Sequence, residues 1–126
     1  VTTNMDIYKK EIFGPVLSTV RAQNYEEAIN MAIDHEYGNG TSIFTRDGDT
    51  ARDFANRINI GMVGINVPIP VPLAYHTFGG WKKSMFGDLN QHGVDAFKFF
   101  TRTKTITSRW PSGIKEGGEF SIPVME

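Results

Sequence analysis

Thr41-Ser42-Ile43-Phe44-Thr45 and Gly61-Met62-Val63-Gly64-Ile65-Asn66-Val67, with the stretch between them, decide the architecture of this chain. Both are runs of β-branched and apolar residues bounded by turn formers, the pattern of short buried strands. Asp47-Gly48-Asp49 makes a turn with an acidic helix start, and Ala51, Phe54, Ala55 and Ile58 then recur at helical spacing. Strand, helix, strand predicts a parallel pair, since a helical crossover returns the chain to the end from which it started. The glycines of the second run indicate close packing, or the backbone of another element lying against the strand.

Upstream the same alternation continues. Asn24-Tyr25-Glu26-Glu27 has the form of a capping box, in which the Asn24 side chain accepts from a first-turn amide and Glu27 reaches back. Tyr25, Ala28, Ile29, Ala32 and Ile33 follow on one face until about Asp34, and Gly38-Asn39-Gly40 closes the unit. Val16-Leu17-Ser18-Thr19-Val20 reads as a further strand, which extends the pattern to a parallel βαβαβ core of the α/β class. In such sheets a site lies beyond the carboxyl ends of the strands, where Asn66 and the residues after it fall.

Downstream the chain becomes irregular. Val67-Pro68-Ile69-Pro70-Val71-Pro72 lacks three amide donors, so it is stiff, extended and unsuited to a sheet interior, either a pocket rim or a connector. Tyr75 to Gly87 forms a long loop carrying Tyr75, Phe78, Trp81 and Phe86, and long loops in compact domains are disproportionately functional. Residues 93–100 predict a short helix, and Thr101 to Ser108 alternates threonine with other residues as a half-exposed strand does. That strand stands apart from the sheet and needs a partner, which another subunit can supply. From Trp110 the glycines and prolines predict a loosely packed arm.

Composition narrows the chemistry. A formal net charge of −1 gives no electrostatic reason to expect nucleic acid or an anionic membrane as partner. Lys98, Arg102, Lys104 and Arg109 form a local basic run, read as a charged edge strand in preference to a phosphate-binding face. The chain contains no cysteine, which excludes disulfides, thiolate metal sites and a cysteine nucleophile within these residues. No apolar run approaches membrane-spanning length, and the first residues lack the charged-then-apolar order of a signal peptide. His35, His76 and His92 are too dispersed for a metal site. Ser84, Asp88 and His92 lack the elbow that surrounds a nucleophilic serine, and Phe78-Gly79-Gly80-Trp81-Lys82-Lys83-Ser84 lacks the spacing of a phosphate loop. The Gly79-Gly80 pair is read as a structural turn.

Glu11-Ile12-Phe13-Gly14-Pro15-Val16 is the stretch with most chemical content. Gly14 permits unusual dihedrals or close approach, and Pro15 fixes φ. A carboxylate beside such a turn can accept from two adjacent sugar hydroxyls, and a neighbouring phenyl ring can lie against a flat heterocycle.

Taken in order, E-I-F-G-P-V at 11–16, G-I-N at 64–66, F-G-G-W-K-K-S at 78–84 and T-K-T-I at 103–106 resemble the C-terminal part of the aldehyde dehydrogenase superfamily. The resemblance runs over nearly the whole chain. V-P-I-P-V-P directly after G-I-N looks most like the CoA-acylating methylmalonate-semialdehyde dehydrogenase branch. It implies that residues 1–100 belong to the catalytic domain and 101–126 form an oligomerisation strand and tail. It implies NAD as cofactor, with Glu11 on the nicotinamide ribose hydroxyls and Phe13 near the nicotinamide ring. It also implies a substrate tunnel walled by Phe78 and approached through the segment that Asn66 begins. The strand around Lys104 to Ser108 would join subunits of a homo-oligomer, with neither nucleic acid nor membrane as partner. Coenzyme A would accept the acyl group when methylmalonate or malonate semialdehyde is oxidised to propionyl-CoA or acetyl-CoA with loss of CO2, a step of valine catabolism. The location would be cytoplasmic in a bacterium and the mitochondrial matrix in a eukaryote.

The family's Rossmann domain, catalytic cysteine and general-base glutamate lie upstream of the matched part. The resemblance therefore assigns no catalytic residue and no metal ligand to this segment, and no turnover to it alone. Thr77 stands where many members have proline, and Met85 where many have glycine. Another NAD(P)-dependent semialdehyde dehydrogenase, or a non-catalytic assembly module, are the alternative readings.

Overall fold

The computed structural model describes residues 1–110. Helix α1 (Asp6–Lys9) is followed by α2 (Tyr25–Asp34), β1 (Tyr37–Gly38), β2 (Gly40–Ile43), α3 (Gly48–Arg57), β3 (Met62–Ile65), β4 (Trp81–Lys82) and α4 (Asp95–Phe100). Both long helices start where their caps predict. The Asn24 side chain accepts from the Glu27 amide at 2.9 Å, while the Glu27 carboxylate accepts from the Gln23 amide at 2.6 Å, one residue before the cap. Asp47 caps α3 by accepting from the Thr50 amide at 2.8 Å.

β2 and β3 pair in parallel, from Gly40 opposite Met62 to Ile43 opposite Ile65, with α3 as the crossover. The core lies where α2 and α3 cover this pair. Ile29, Phe54, Ile58 and Ile60 form its buried centre, with Tyr25, Ala32, Ile33, Ile43 and Val63 packed around them. A polar network ties the two helices outside the core. Arg57 bonds both Glu26 oxygens, at 2.6 and 2.7 Å, and Asp53 at 3.0 Å, and the Tyr25 hydroxyl donates to Asp53 at 2.8 Å. Burial and that bond to Asp53 push the Tyr25 hydroxyl up to about 12. Hydrogen bonding to Arg57 lowers Glu26, and hydrogen bonds from Tyr25 and Arg57 lower Asp53.

Two expected strands do not form. Residues 16–20 join no ladder, and Leu17 is 92% exposed, so the parallel core has two strands and not three. β-propensity measures fit to a pleated, half-buried surface, and no described strand lies beside this run to provide one. Residues 101–108 likewise join no ladder and are exposed, for the same lack of a neighbour. Conversely, β4 lies inside the loop expected to be irregular and pairs antiparallel with β1, Tyr37 opposite Lys82. The short helix expected over 93–100 is present as α4. The arm expected after Trp110 lies outside the described residues. Among the described residues no helix is long and apolar enough to cross a membrane.

Candidate functional site

The carboxyl ends of β2 and β3 are closed by Asn66. Its backbone is left-handed, φ 59°, a conformation that asparagine tolerates better than most residues. Its side-chain oxygen accepts from the Thr45 amide at 2.9 Å, and its side-chain nitrogen donates to the Thr45 carbonyl at 3.0 Å. The amide thus stands in for one more peptide unit of the ladder, and the chain turns away into the proline strip. Pro70 of that strip folds back over Gly64 and Gly40, and a Cβ on Gly64 would lie 3.1 Å from the Pro70 Cβ and 2.8 Å from the Val67 carbonyl. The strip is therefore held against the ends of both strands, with Ile69 and Val71 turned outward.

The turn at Phe78-Gly79-Gly80 is seated by contacts that only glycine permits. A Cβ on Gly61, just before β3, would run into the Gly79 carbonyl, and one on Gly80 would lie 2.9 Å from the Asn39 Cα. The close approach predicted for the glycine-rich strand is thus a seat for this turn. Phe78 is half-buried, its ring 4.2 Å from that of His92. Lys82 follows at φ 53° and sends its ammonium to the end of α2, donating to the carbonyls of Ala32 (3.2 Å), Ile33 (2.7 Å) and His35 (2.9 Å). Those carbonyls have no partner within the helix, and a cation there also opposes the negative end of the helix dipole. Lys83 pairs with Glu36 at 2.5 Å, and the Ser84 hydroxyl accepts from the Gly38 amide at 3.0 Å. Ser84 thus ties the turn to β1. The capping role of Lys82 was not foreseen from sequence, because its acceptors lie some fifty positions away.

Glu11 and Phe13 sit differently. Glu11 lines a groove of about 430 Å³ together with His35, Asn39, Lys83 and Ser84. No hydrogen bond or ion pair from the described residues engages its carboxylate. The Phe13 ring is 99% exposed. Gly14, expected to answer crowding or an unusual φ, meets neither: a Cβ there would find nothing within 4 Å. An uncommitted carboxylate and, two residues on, an uncovered flat ring fit a ribose diol and its heterocycle. The structure thus brings Glu11 to the groove edge beside Lys83 and Ser84, which follow the F-G-G turn, while Asn66 ties down the strand ends. A cluster of three or more acidic or histidine side chains able to hold a metal is absent among the described residues.

The comparisons with known proteins give the family. The aldehyde dehydrogenase family model matches residues 1–106, and the chain belongs to that family. It is 59% identical over 124 residues to a malonate-semialdehyde dehydrogenase of Pseudomonas aeruginosa, covering 98% of this chain and 25% of the relative. A candidate methylmalonate-semialdehyde dehydrogenase from Sinorhizobium meliloti 1021, solved in complex with NAD, superposes with a TM-score of 0.80 at 78% identity, over 92% of this chain and 24% of that one. The methylmalonate-semialdehyde dehydrogenase DddC of Oceanimonas doudoroffii superposes equally, TM-score 0.80 at 58% identity, over 90% and 23%. The chain thus spans about a quarter of the length of the proteins it matches.

Proposed function

We propose that this chain is the part of an NAD-dependent, CoA-acylating methylmalonate- or malonate-semialdehyde dehydrogenase that grips the nicotinamide half of the cofactor and walls the aldehyde tunnel. The observation that carries this reading is Glu11, without a partner in a groove shared with Lys83 and Ser84, with the uncovered ring of Phe13 two residues on in sequence. NAD, when bound, accepts the hydride released on aldehyde oxidation. Glu11 would hold the nicotinamide ribose through charge-assisted hydrogen bonds, and Phe13 would limit the ring's freedom to tilt. Phe78, fixed by the glycine seat and His92, would shape the aldehyde end of the site, and Asn66 would set the path of the strip leading to it. The nucleophilic thiol must come from outside these residues, since the chain has no cysteine. Support for the methylmalonate- or malonate-semialdehyde branch comes from the V-P-I-P-V-P strip and from the names of the relatives. Assembly through Lys104 to Ser108 would give that unpaired segment the neighbour it lacks here.

The test uses the complete enzyme that carries this chain. Glu11→Gln is expected to weaken NAD binding about tenfold while leaving the melting midpoint unchanged, since it removes one charge-assisted contact. Calorimetric titration with NAD giving an unaltered Kd would reject the clamp. NADH formation from malonate semialdehyde is expected to require CoA for sustained turnover; equal rates without it would favour another semialdehyde dehydrogenase.

A further inference from the structure

We propose that the His35 imidazole is a positioning residue for the cofactor clamp, an inference that rests on the reading of Glu11 and Phe13 given above. Residues 1–22 form a limb whose remaining hydrogen bonds are internal, such as that from the Val1 amino group to the Thr19 carbonyl at 2.8 Å. Two hydrogen bonds cross from this limb to the other described residues, and both are made by Tyr8. Its hydroxyl donates to the Met31 carbonyl at 3.2 Å, and its carbonyl lies 3.2 Å from His35 Nε2. On the opposite edge of the imidazole, Nδ1 accepts from the Tyr37 amide at 3.2 Å. A single neutral tautomer, with the proton on Nε2, satisfies both bonds. The ring also meets the Tyr8 ring edge-on at 5.2 Å and lies 5.9 Å from that of Tyr37.

The support beneath His35 is fixed, because its own carbonyl is held by Lys82 at 2.9 Å. Tyr8 lies in the last turn of α1, three residues before Glu11, and Glu11 shares its groove with His35. The imidazole therefore fastens the limb that carries the clamp to the rigid end of α2. Without it one hydrogen bond, from the Tyr8 hydroxyl, still crosses from the limb, and ordering Glu11 and Phe13 on binding costs affinity.

The experiment measures NAD binding by calorimetry in the complete enzyme without aldehyde, alongside aldehyde KM at saturating NAD and the melting midpoint. His35→Phe, which keeps a ring but removes both bonds, is expected to raise the NAD Kd about five- to tenfold, as for one lost hydrogen bond. His35→Gln, whose side-chain amide can donate to the Tyr8 carbonyl, is expected to return the Kd to within about twofold of the parent. Aldehyde KM should not move in either. Parent-like NAD affinity in His35→Phe while Glu11→Gln binds poorly overturns the inference and spares the clamp. Equal losses in the Phe and Gln variants, together with lowered midpoints and a shifted aldehyde KM, also overturn it by showing general structural damage. If Glu11→Gln itself binds NAD normally, the clamp reading fails and the inference falls with it.

Discussion

The limb that carries Glu11 and Phe13 and the turn that carries Phe78, which the proposed function assigns to the cofactor and to the aldehyde, are held in opposite ways. The limb meets the other described residues through two hydrogen bonds at Tyr8 and leaves Phe13 bare. The turn is locked by glycine seats at Gly61 and Gly80, by three carbonyls around Lys82, by the Lys83 pair with Glu36 and by a strand bond to β1. Under the proposed function the contrast is a division of labour. A tunnel wall that discriminates among aldehydes by shape needs a fixed ring, because one methylene more or less changes the energy by only about 1–3 kcal/mol. A clamp on a cofactor that must enter and leave can tolerate a lighter attachment.

The strongest way to break this contrast is to unseat the turn. Gly61→Val places a branched side chain against the Gly79 carbonyl and the Gly80 backbone, where overpacking costs roughly 1–3 kcal/mol or moves the turn. In the complete enzyme the expected result is a loss of at least about tenfold in kcat/KM for aldehyde with NAD affinity kept. NAD Kd and kcat/KM falling together would show that the two regions are not separate.

A smaller effect should follow from Lys82→Met, which keeps the alkyl stem over α2 but removes the three bonds to its carbonyls. Destabilisation of about 1.5–3 kcal/mol, read by urea unfolding, is expected for a lost charged hydrogen-bonding group. Aldehyde KM should rise more than NAD Kd, since the cap adjoins the turn. A change confined to NAD Kd would reverse the assignment of the cap to the turn.

The smallest effect concerns the platform beneath both regions. Glu26 and Asp53 are held below their ordinary pKa by Arg57 and Tyr25, so their contribution to stability is complete above the unfolded carboxylate values near about 4 and declines as pH falls through the lower folded values. Both carboxylates are substantially solvent-exposed, and the slope of melting midpoint against pH below about 4 should accordingly be shallow. Arg57→Ala should flatten it further, and an unchanged slope in that variant would show that the network does not link α2 to α3 energetically.

Much of the platform was legible in the sequence because its determinants are local. Asn24 and Asp47 announce their helices within three residues, and Ile29, Phe54 and Ile58 fall at the helical spacing that puts them in the core. What was misread depends on partners distant in the chain or outside it. Val16 to Val20 has strand composition but no described neighbour, whereas Trp81-Lys82 is too short beside Gly79-Gly80 to show a strand pattern and pairs because Tyr37-Gly38 is brought beside it. In the site, Glu11 and Phe13 stood out through the family motif, and their lack of partners is something only the coordinates add. Lys82 and His35 gave no signal, since a cap on a distant helix end and a clip to a distant carbonyl leave no pattern in spacing.

Asn66 carries a consequence for how this sequence can drift under mutation. Glycine would accept the φ of 59° but lose both bonds to Thr45; aspartate would keep an acceptor for the amide and set a negative charge against the carbonyl; a β-branched residue would fail on both counts. A saturation library at this codon should retain asparagine alone at full stability, and the position would rank among the least permissive in the chain although no ligand need ever touch it.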